Sequence, residues 1–308
     1  MKPVIASAPA STANLGPGFD CLGLAVKLCN TVTMSPAKQG VRVEIEGEGS
    51  ASLPRGARNL MVRAARRVFD LVGKAPSGIS LEVTNQIPLG SGLGSSAAAV
   101  VAGLAAANVM TGEKLKQEDL LQLAYSMEGH PDNAAASLFG GLNLVSVGSG
   151  TAIARQVGVA DFKLIIALPL IQISTKEMRR ALPRRVPLRD AVFNVGRALF
   201  TVEALRTGDY ELLELAMADR LHQSHRLRFI PGGEAAMAAA RKAGARAVVL
   251  SGSGPAIVAF APDRHERIAG AMTRTFKGAG LKVKTFILDI DRQGTRVQQS
   301  KESAGAQP

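Results

Sequence analysis

The sequence predicts an α+β fold in two domains, and three observations carry that expectation. At 308 residues the chain is long enough for two hydrophobic cores of ordinary size. Segments of strand-like alternation and of helical periodicity follow one another along it. Around Gly148 to Gly158 the texture shifts to Gly, Ser and Thr, which marks a boundary. The first domain is taken as residues 1–155, the second as 156–291, and residues 292–308 as a mobile polar tail low in large apolar residues.

Val4 to Ala8 reads as a short strand. It enters a stretch, Ala8 to Gly23, in which Pro9, Gly16, Pro17, Gly18 and Gly23 rule out a regular helix, so Ser11, Thr12, Asn14 and Asp20 are expected on irregular backbone. Loops held by a scaffold carry binding residues, whereas Asn and Asp among glycines are also turn formers; the residues alone support both readings. Alternation at Asn30 to Met34 and at Val41 to Ile45 gives two further strands. Asn59 to Val72 repeats Leu60, Ala64, Val68 and Leu71 at helical spacing with Arg63, Arg66 and Arg67 outside, a surface helix with a basic face. Ile79, Leu81 and Val83 alternate as a strand.

The stretch that follows is Pro88, Leu89, Gly90, Ser91, Gly92, Leu93, Gly94, Ser95, Ser96, Ala97 and Ala98. Its glycines allow positive φ and close backbone approach. It opens into a helix whose first N–H groups have no intrahelical partner and stand at the positive end of the dipole, so it is suited to a phosphate chain. Ser95 or Ser96 can cap that helix, leaving the other for a phosphate or a metal ion. A Walker A loop is excluded because no Lys follows Gly94. Gly92, Gly94 and Ala97 satisfy a dinucleotide fingerprint by letters, but Glu113 lies in a polar turn with no strand before it. A purely structural glycine turn is the remaining alternative. The helix from Ser96 to about Asn108 lacks a polar face and must be buried all round.

A helix from about Gln117 to Met127 delivers Glu128, Gly129, His130, Pro131, Asp132 and Asn133, then a small-residue helix, Ala134 to Leu138, and a Gly140-Gly141 turn. His130 can be a structural donor or a site residue, and Asp132-Asn133 can be a helix cap. In the second domain, Lys163 to Leu168 reads as a buried strand, and Ser174 or Thr175 caps a helix with Glu177 in its first turn. Arg179, on that helix, reads by itself as a solvated charge. Helices follow at Leu188 to Thr207, Tyr210 to Met217 and Glu234 to Ala243. Two apolar runs from Ala247 to Phe260 flank a Gly252-Ser253-Gly254 turn as a hairpin. His222 and His225 have no accompanying carboxylate of metal-site spacing and are expected at the surface.

Composition narrows the function. No run approaches the roughly 18 apolar residues of a membrane span, and the N-terminus lacks a signal peptide's apolar core, so a cytoplasmic protein is expected. Cys21 and Cys29 are too few for a disulfide framework and read as reduced core residues. The net charge of +12 asks for an anionic partner. Nucleic acid is disfavoured because the arginines are scattered and the chain has two tyrosines and no tryptophan for base stacking.

Taken together, Pro88 to Ala98, Ala8 to Asp20 and Glu128 to Asn133 resemble the motifs of the GHMP kinases, and in particular of the homoserine kinases. The resemblance runs from Ala8 to about Phe260. It implies an N-terminal domain shaped like a ribosomal-protein domain, a ferredoxin-like C-terminal domain, and transfer of the γ-phosphoryl group of ATP to the hydroxyl of L-homoserine in threonine biosynthesis. By the same resemblance Asn14, Asp20, His130, Arg179 and Arg226 hold the amino acid, Thr175 lies near it, Ser96 and Glu128 hold Mg2+, and the Gly252 to Gly254 turn approaches the nucleotide. Asn133 stands where other family members carry a catalytic aspartate, so direct attack by the hydroxyl is expected. The expected assembly is a homodimer. The rivals are a family kinase with another alcohol as acceptor, and a nucleotide-sensing or RNA-binding protein that has lost the chemistry.

Overall fold

Residues 1–299 are described by the computed structural model. Alternation in the first part of the chain produces β1 (Val4–Ala13), β2 (Leu22–Ala37) and β3 (Gly40–Gly47). β1 and β2 are antiparallel, with the register shifting between Pro9 and Ala10. β3 runs parallel to β4 (Gly78–Asn85), a pairing that requires a crossover, and α1 (Leu60–Val72) supplies it. The Asn59 side chain accepts from the Met61 amide to cap α1, and Gly73 ends it in the left-handed conformation. α1 buries Met61, Val62, Ala64, Ala65, Val68 and Phe69 and turns its arginines outward, but Leu71 is exposed.

β1 is longer than the sequence suggested. Ser11 and Thr12 are buried strand residues, and irregular backbone is confined to the stretch between Asn14 and Cys21. A proline at the register shift is tolerated because the ladder is already interrupted there. Neither cysteine is a core residue. Cys21 is exposed at the loop's end, and Cys29, opposite Pro9 at the shift, is half-buried; both are free thiols.

The glycine-rich loop opens α2 (Ser95–Thr111), followed by α3 (Gln117–Glu128) and α4 (Asp132–Phe139). α2 is buried on every side, packed among α1, α3, α4 and β1. Gly103 lets it approach α1 closely, since a Cβ there would overlap the Met61 carbonyl oxygen. β5 (Leu142–Gly148) and β6 (Thr151–Val157) then form a hairpin attached to β2, completing a seven-stranded sheet with a terminal strand described below. The boundary expected at residue 155 therefore falls inside β6. The Gly and Ser texture belongs to the hairpin turn, where Ser149 and Gly150 both take positive φ, and the second unit starts after Val157.

That unit contains β7 (Lys163–Pro169), α5 (Thr175–Arg180), α6 (Leu188–Thr207), α7 (Tyr210–Ala216), α8 (Gln223–Leu227), α9 (Gly233–Ala243), β8 (Ala247–Leu250), β9 (Ile257–Phe260), α10 (His265–Gly278) and β10 (Val283–Asp289). Its antiparallel sheet has the order β10-β7-β9-β8. β7 is buried on both faces. Leu164 and Ile166 join the large core shared with the first unit, while Ile165 and Ala167 join a second core, which also takes residues of α9 and α10.

The chain then returns to the first sheet, so the expectation of a mobile tail from residue 292 does not hold. β11 (Arg296–Gln299) pairs antiparallel with β1, Val4 opposite Gln299 and Ser7 opposite Arg296. Main-chain pairing needs no apolar side chains, which is why a polar segment could form it. Asp291 fixes the bend by accepting from the amides of Gln293 and Gly294 and pairing with Arg296 at 3.2 Å. The rest of the expected tail, residues 300–308, lies outside the described residues. Among the described residues no helix is long and apolar enough to cross a membrane.

Candidate active site

The loop between β4 and α2 holds Gly90, Gly92 and Gly94 at φ of +60°, +81° and +68°. Gly94 occupies the cap position of α2 in the left-handed conformation, and no side chain caps the helix. The expected serine cap is absent because both hydroxyls are engaged elsewhere: Ser95 Oγ donates to the Ile87 carbonyl (3.2 Å) and Ser96 Oγ to Glu128 Oε1 (2.7 Å). The amides of Gly92, Gly94, Ser95, Ser96 and Ala97 consequently donate to no acceptor among the described residues. Ser91 stiffens the loop, its Oγ donating to Pro88 O and accepting from Leu93 N.

Two other segments clamp this loop. Ser11 N donates to Leu93 O (3.1 Å), and Ser11 Oγ donates to Asn133 Oδ1 (2.9 Å). From the other side Ser251 Oγ donates to Gly92 O (2.8 Å) and Ala256 N to Ser91 O (3.1 Å). A Cβ at Gly92 would overlap the Ser251 carbonyl oxygen, and one at Gly94 would overlap Ser11 Oγ. The three motifs thus meet at the loop backbone, and the close approach explains the glycines better than flexibility alone.

Gly90, Ser91, Gly92, Gly94, Ser95, Ser96 and Ala97 line one wall of a cavity. Asn14, Asp20, Glu128, His130, Asp132, Asn133, Thr175, Arg179, Arg226, Gly252 and Ser253 line the remainder. Of the sequence-nominated loop residues, Pro88, Leu93 and Ala98 are buried behind that wall, and Leu89 faces a neighbouring chamber. Arg179 forms a two-pronged ion pair with Asp20, Nη1 to Oδ2 at 2.9 Å and Nη2 to Oδ1 at 2.8 Å. Asn14 is almost sealed from solvent. It donates from Nδ2 to Gly252 O (2.8 Å) and accepts at Oδ1 from Asp20 N (3.0 Å), so it also holds its own loop in shape. Ser174 caps α5 reciprocally with Glu177, which leaves Thr175 facing the cavity, its hydroxyl 3.3 Å from that of Ser253.

His130 Nδ1 lies 3.4 Å from Asp132 Oδ1, near enough for an ion pair yet off the line of a hydrogen bond. The Asp132 carboxylate raises the imidazole pKa above its ordinary value against the opposing effect of burial. Arg226 is buried, and burial together with the charge of Arg179 lowers its guanidinium pKa to about 10, so it stays charged at neutral pH. The expectation that His222 is a surface residue is wrong. It is fully buried one helical turn before Arg226, with Nε2 2.7 Å from the Gly16 carbonyl oxygen.

Beside the loop lies an apolar chamber of about 320 Å³, lined by Ile45, Leu53, Pro54, Leu60, Val83 and Leu89 and floored by Ser95 and Ala99. Sequence reasoning missed it. Its residues come from β3, the segment before α1, β4 and the loop, and no local pattern connects them. The size lies within the range of ligand pockets.

The unpaired amides at the mouth of a buried helix call for a polyanion, and the opposed carboxylate and guanidinium call for a ligand bearing both charges. A protein that presents these two demands across one cavity is a small-molecule phosphotransferase. Models of the GHMP kinase N-terminal and C-terminal domains match residues 59–141 and 201–278. A homoserine kinase of Synechococcus sp. (strain WH7803) is 42% identical over 301 residues, covering 96% of each chain. The crystal structure of a homoserine kinase from Cytophaga hutchinsonii superposes with a TM-score of 0.88 at 32% identity, over 97% of this chain and 98% of that one. Mevalonate kinase of L. major, solved with R-mevalonate, shares the fold at a TM-score of 0.70 and 19% identity, over 93% of this chain and 94% of that one. The chain belongs to the GHMP kinases, and within them to the homoserine kinases.

Proposed function

We infer that the protein transfers the γ-phosphoryl group of ATP to the side-chain hydroxyl of L-homoserine, giving O-phospho-L-homoserine for threonine biosynthesis. The observation that carries this reading is the Asp20–Arg179 pair facing the free loop amides across one cavity. The triphosphate lies along the amides of Gly92 and Gly94 to Ala97, and the base enters the apolar chamber. Asp20 takes the substrate's ammonium group. Arg179 and Arg226 take its carboxylate, with His130 and the second Nδ2 hydrogen of Asn14 alongside. The zwitterion therefore replaces one internal ion pair with two external ones. A ligand with only one of the charges leaves Asp20 or Arg179 without a partner.

Asn133 cannot accept a proton, so no side chain at that position acts as base. The hydroxyl oxygen attacks the γ-phosphorus in line as the bond to the bridging oxygen of ADP breaks, its proton passes to a transferred phosphoryl oxygen, and catalysis comes from alignment and from stabilising the charge on the transferred group. Ser96 Oγ and Glu128 Oε1, 2.7 Å apart in the cavity wall, are oxygen donors that fit Mg2+. Among the described residues no cluster of three or more His, Cys, Asp or Glu could hold a metal. This suits an ion carried largely by phosphate oxygens and water. When bound, Mg2+ neutralises developing phosphate charge. A homodimer and a cytoplasmic location belong to the same reading.

A coupled assay of ADP release with ATP and Mg2+ across a panel of small alcohols tests it. Homoserine is expected to be the best acceptor, with 4-hydroxybutyrate and 3-aminopropanol, each missing one charge, at least about a hundredfold poorer in kcat/KM. No ADP from homoserine, or faster turnover on mevalonate or a sugar, would refute the assignment.

A further inference from the structure

Arg226 points a buried cation at the cavity from a helix of only five residues, α8, and a guanidinium on a long side chain does not hold a fixed heading unaided. What holds it is visible in its hydrogen bonds. Nη1 lies 3.2 Å from His222 Nδ1 and 3.0 Å from the Gly252 carbonyl oxygen, so both Nη1 hydrogens have acceptors. Nη2 donates to nothing among the described residues, and Nε is sealed without a partner. Rotation of the group is thereby blocked, and Nη2 is left for a ligand.

The tautomer of His222 follows from its two neighbours. Gly16 O can only accept, so Nε2, 2.7 Å away, carries the proton. The Arg226 guanidinium can only donate, so Nδ1 is bare. Both requirements are met by a single neutral form, and burial, which pushes the imidazole pKa below its ordinary value despite nearby Asp219, favours it. The ring is fixed from the sides as well. Phe19 stacks on His222 at 5.1 Å between centroids, and the centroid of the same ring lies 5.2 Å from the Arg226 guanidinium carbon. Below, Asp219 accepts from the His222 and Gln223 amides.

We propose that His222 is a positioning residue for the reaction: by accepting at Nδ1 it turns the Arg226 guanidinium so that Nη2 meets the carboxylate of the amino acid substrate. The proposal rests on homoserine as acceptor. It adds that recognition of the carboxylate depends on a histidine that never touches the substrate, and that this histidine is anchored by the Gly16 carbonyl of the loop bearing Asn14 and Asp20.

Two variants and one spectroscopic measurement decide it. H222F keeps a ring for Phe19 to stack on but removes both hydrogen bonds. H222N returns an acceptor near the position of Nδ1. With H222F the KM for homoserine is expected to rise about tenfold, as for one lost hydrogen bond to a charged group, with KM for ATP and kcat changed less than about threefold. H222N is expected to recover most of the loss. Equal rises in both KM values, an unchanged homoserine KM in H222F, or no recovery in H222N would overturn the proposal. Nitrogen-15 NMR of the wild-type side chain supplies a readout that needs no variant, so a poorly folding H222F does not block the test. A neutral ring protonated at Nε2 near pH 7 is expected, and a proton on Nδ1 would contradict the arrangement. If wild-type protein forms no ADP with homoserine, the substrate assignment falls, while the tautomer still decides whether Nδ1 accepts from Arg226.

Discussion

Asp132 is nearly sealed from water and faces His130, whose Nδ1 has no hydrogen-bond partner. Because the carboxylate raises the folded-state pKa of His130, the pair stabilises the fold fully below the ordinary histidine value, and the contribution fades as pH rises through the raised one. Replacing Asp132 by Asn keeps an acceptor for the Asn133 amide but removes the charge. The loss of thermal stability in D132N relative to wild type should be larger at about pH 6 than at about pH 9; a difference independent of pH would show that the charges do not interact. Single residues were unevenly legible in the sequence. Asn14 and Asp20 stood in a recognisable motif, Arg179 read by itself as a solvated charge and was nominated only through the family resemblance, and all three meet in the cavity. The place of His222 was not legible, since its burial is decided by the Gly16 carbonyl, 206 positions away.

At the scale of elements, α2 illustrates what composition reveals. A run of Ala, Val, Gly and Leu with no polar face had to be interior, and it is. Its Gly103 inverts the usual expectation for a helix. Glycine to alanine in a helix interior ordinarily stabilises by about 0.5–1 kcal/mol. Here the new methyl would meet α1 backbone at Met61, which cannot move aside cheaply. G103A is therefore expected to destabilise by roughly 1–3 kcal/mol, read as a lower urea midpoint, and a raised midpoint would contradict the close packing. The strands read from the sequence are all present, whereas β5, β6, β10 and β11 were not read. β6 is a mostly exposed edge strand in which even Ile153 faces solvent, so burial does not follow its side-chain character. β11 owes its form to backbone groups of β1 contributed from the opposite end of the chain, and side-chain patterns carry no trace of such a partner.

Viewed whole, the two units are less separate than the sequence implied. One continuous core takes in Leu24 and Leu104 of the first and Leu164, Leu205 and Phe260 of the second, and β11 returns the chain to the sheet where it began. Heating is accordingly expected to give one cooperative transition, with calorimetric and van't Hoff enthalpies in agreement. Two resolved transitions would mean that the shared core does not couple the units. The boundary at residue 155 was misplaced for the same reason: a hairpin turn and a domain linker have similar composition, and only pairing partners distinguish them. Gly252 condenses this union into one residue. Its N–H holds Ala13, its carbonyl holds Asn14 and Arg226, and the adjoining Ser251 holds Gly92. On the proposed placement of the two reactants, the spacing between nucleophile and phosphorus is a ruler cut into the main chain, set before either of them arrives.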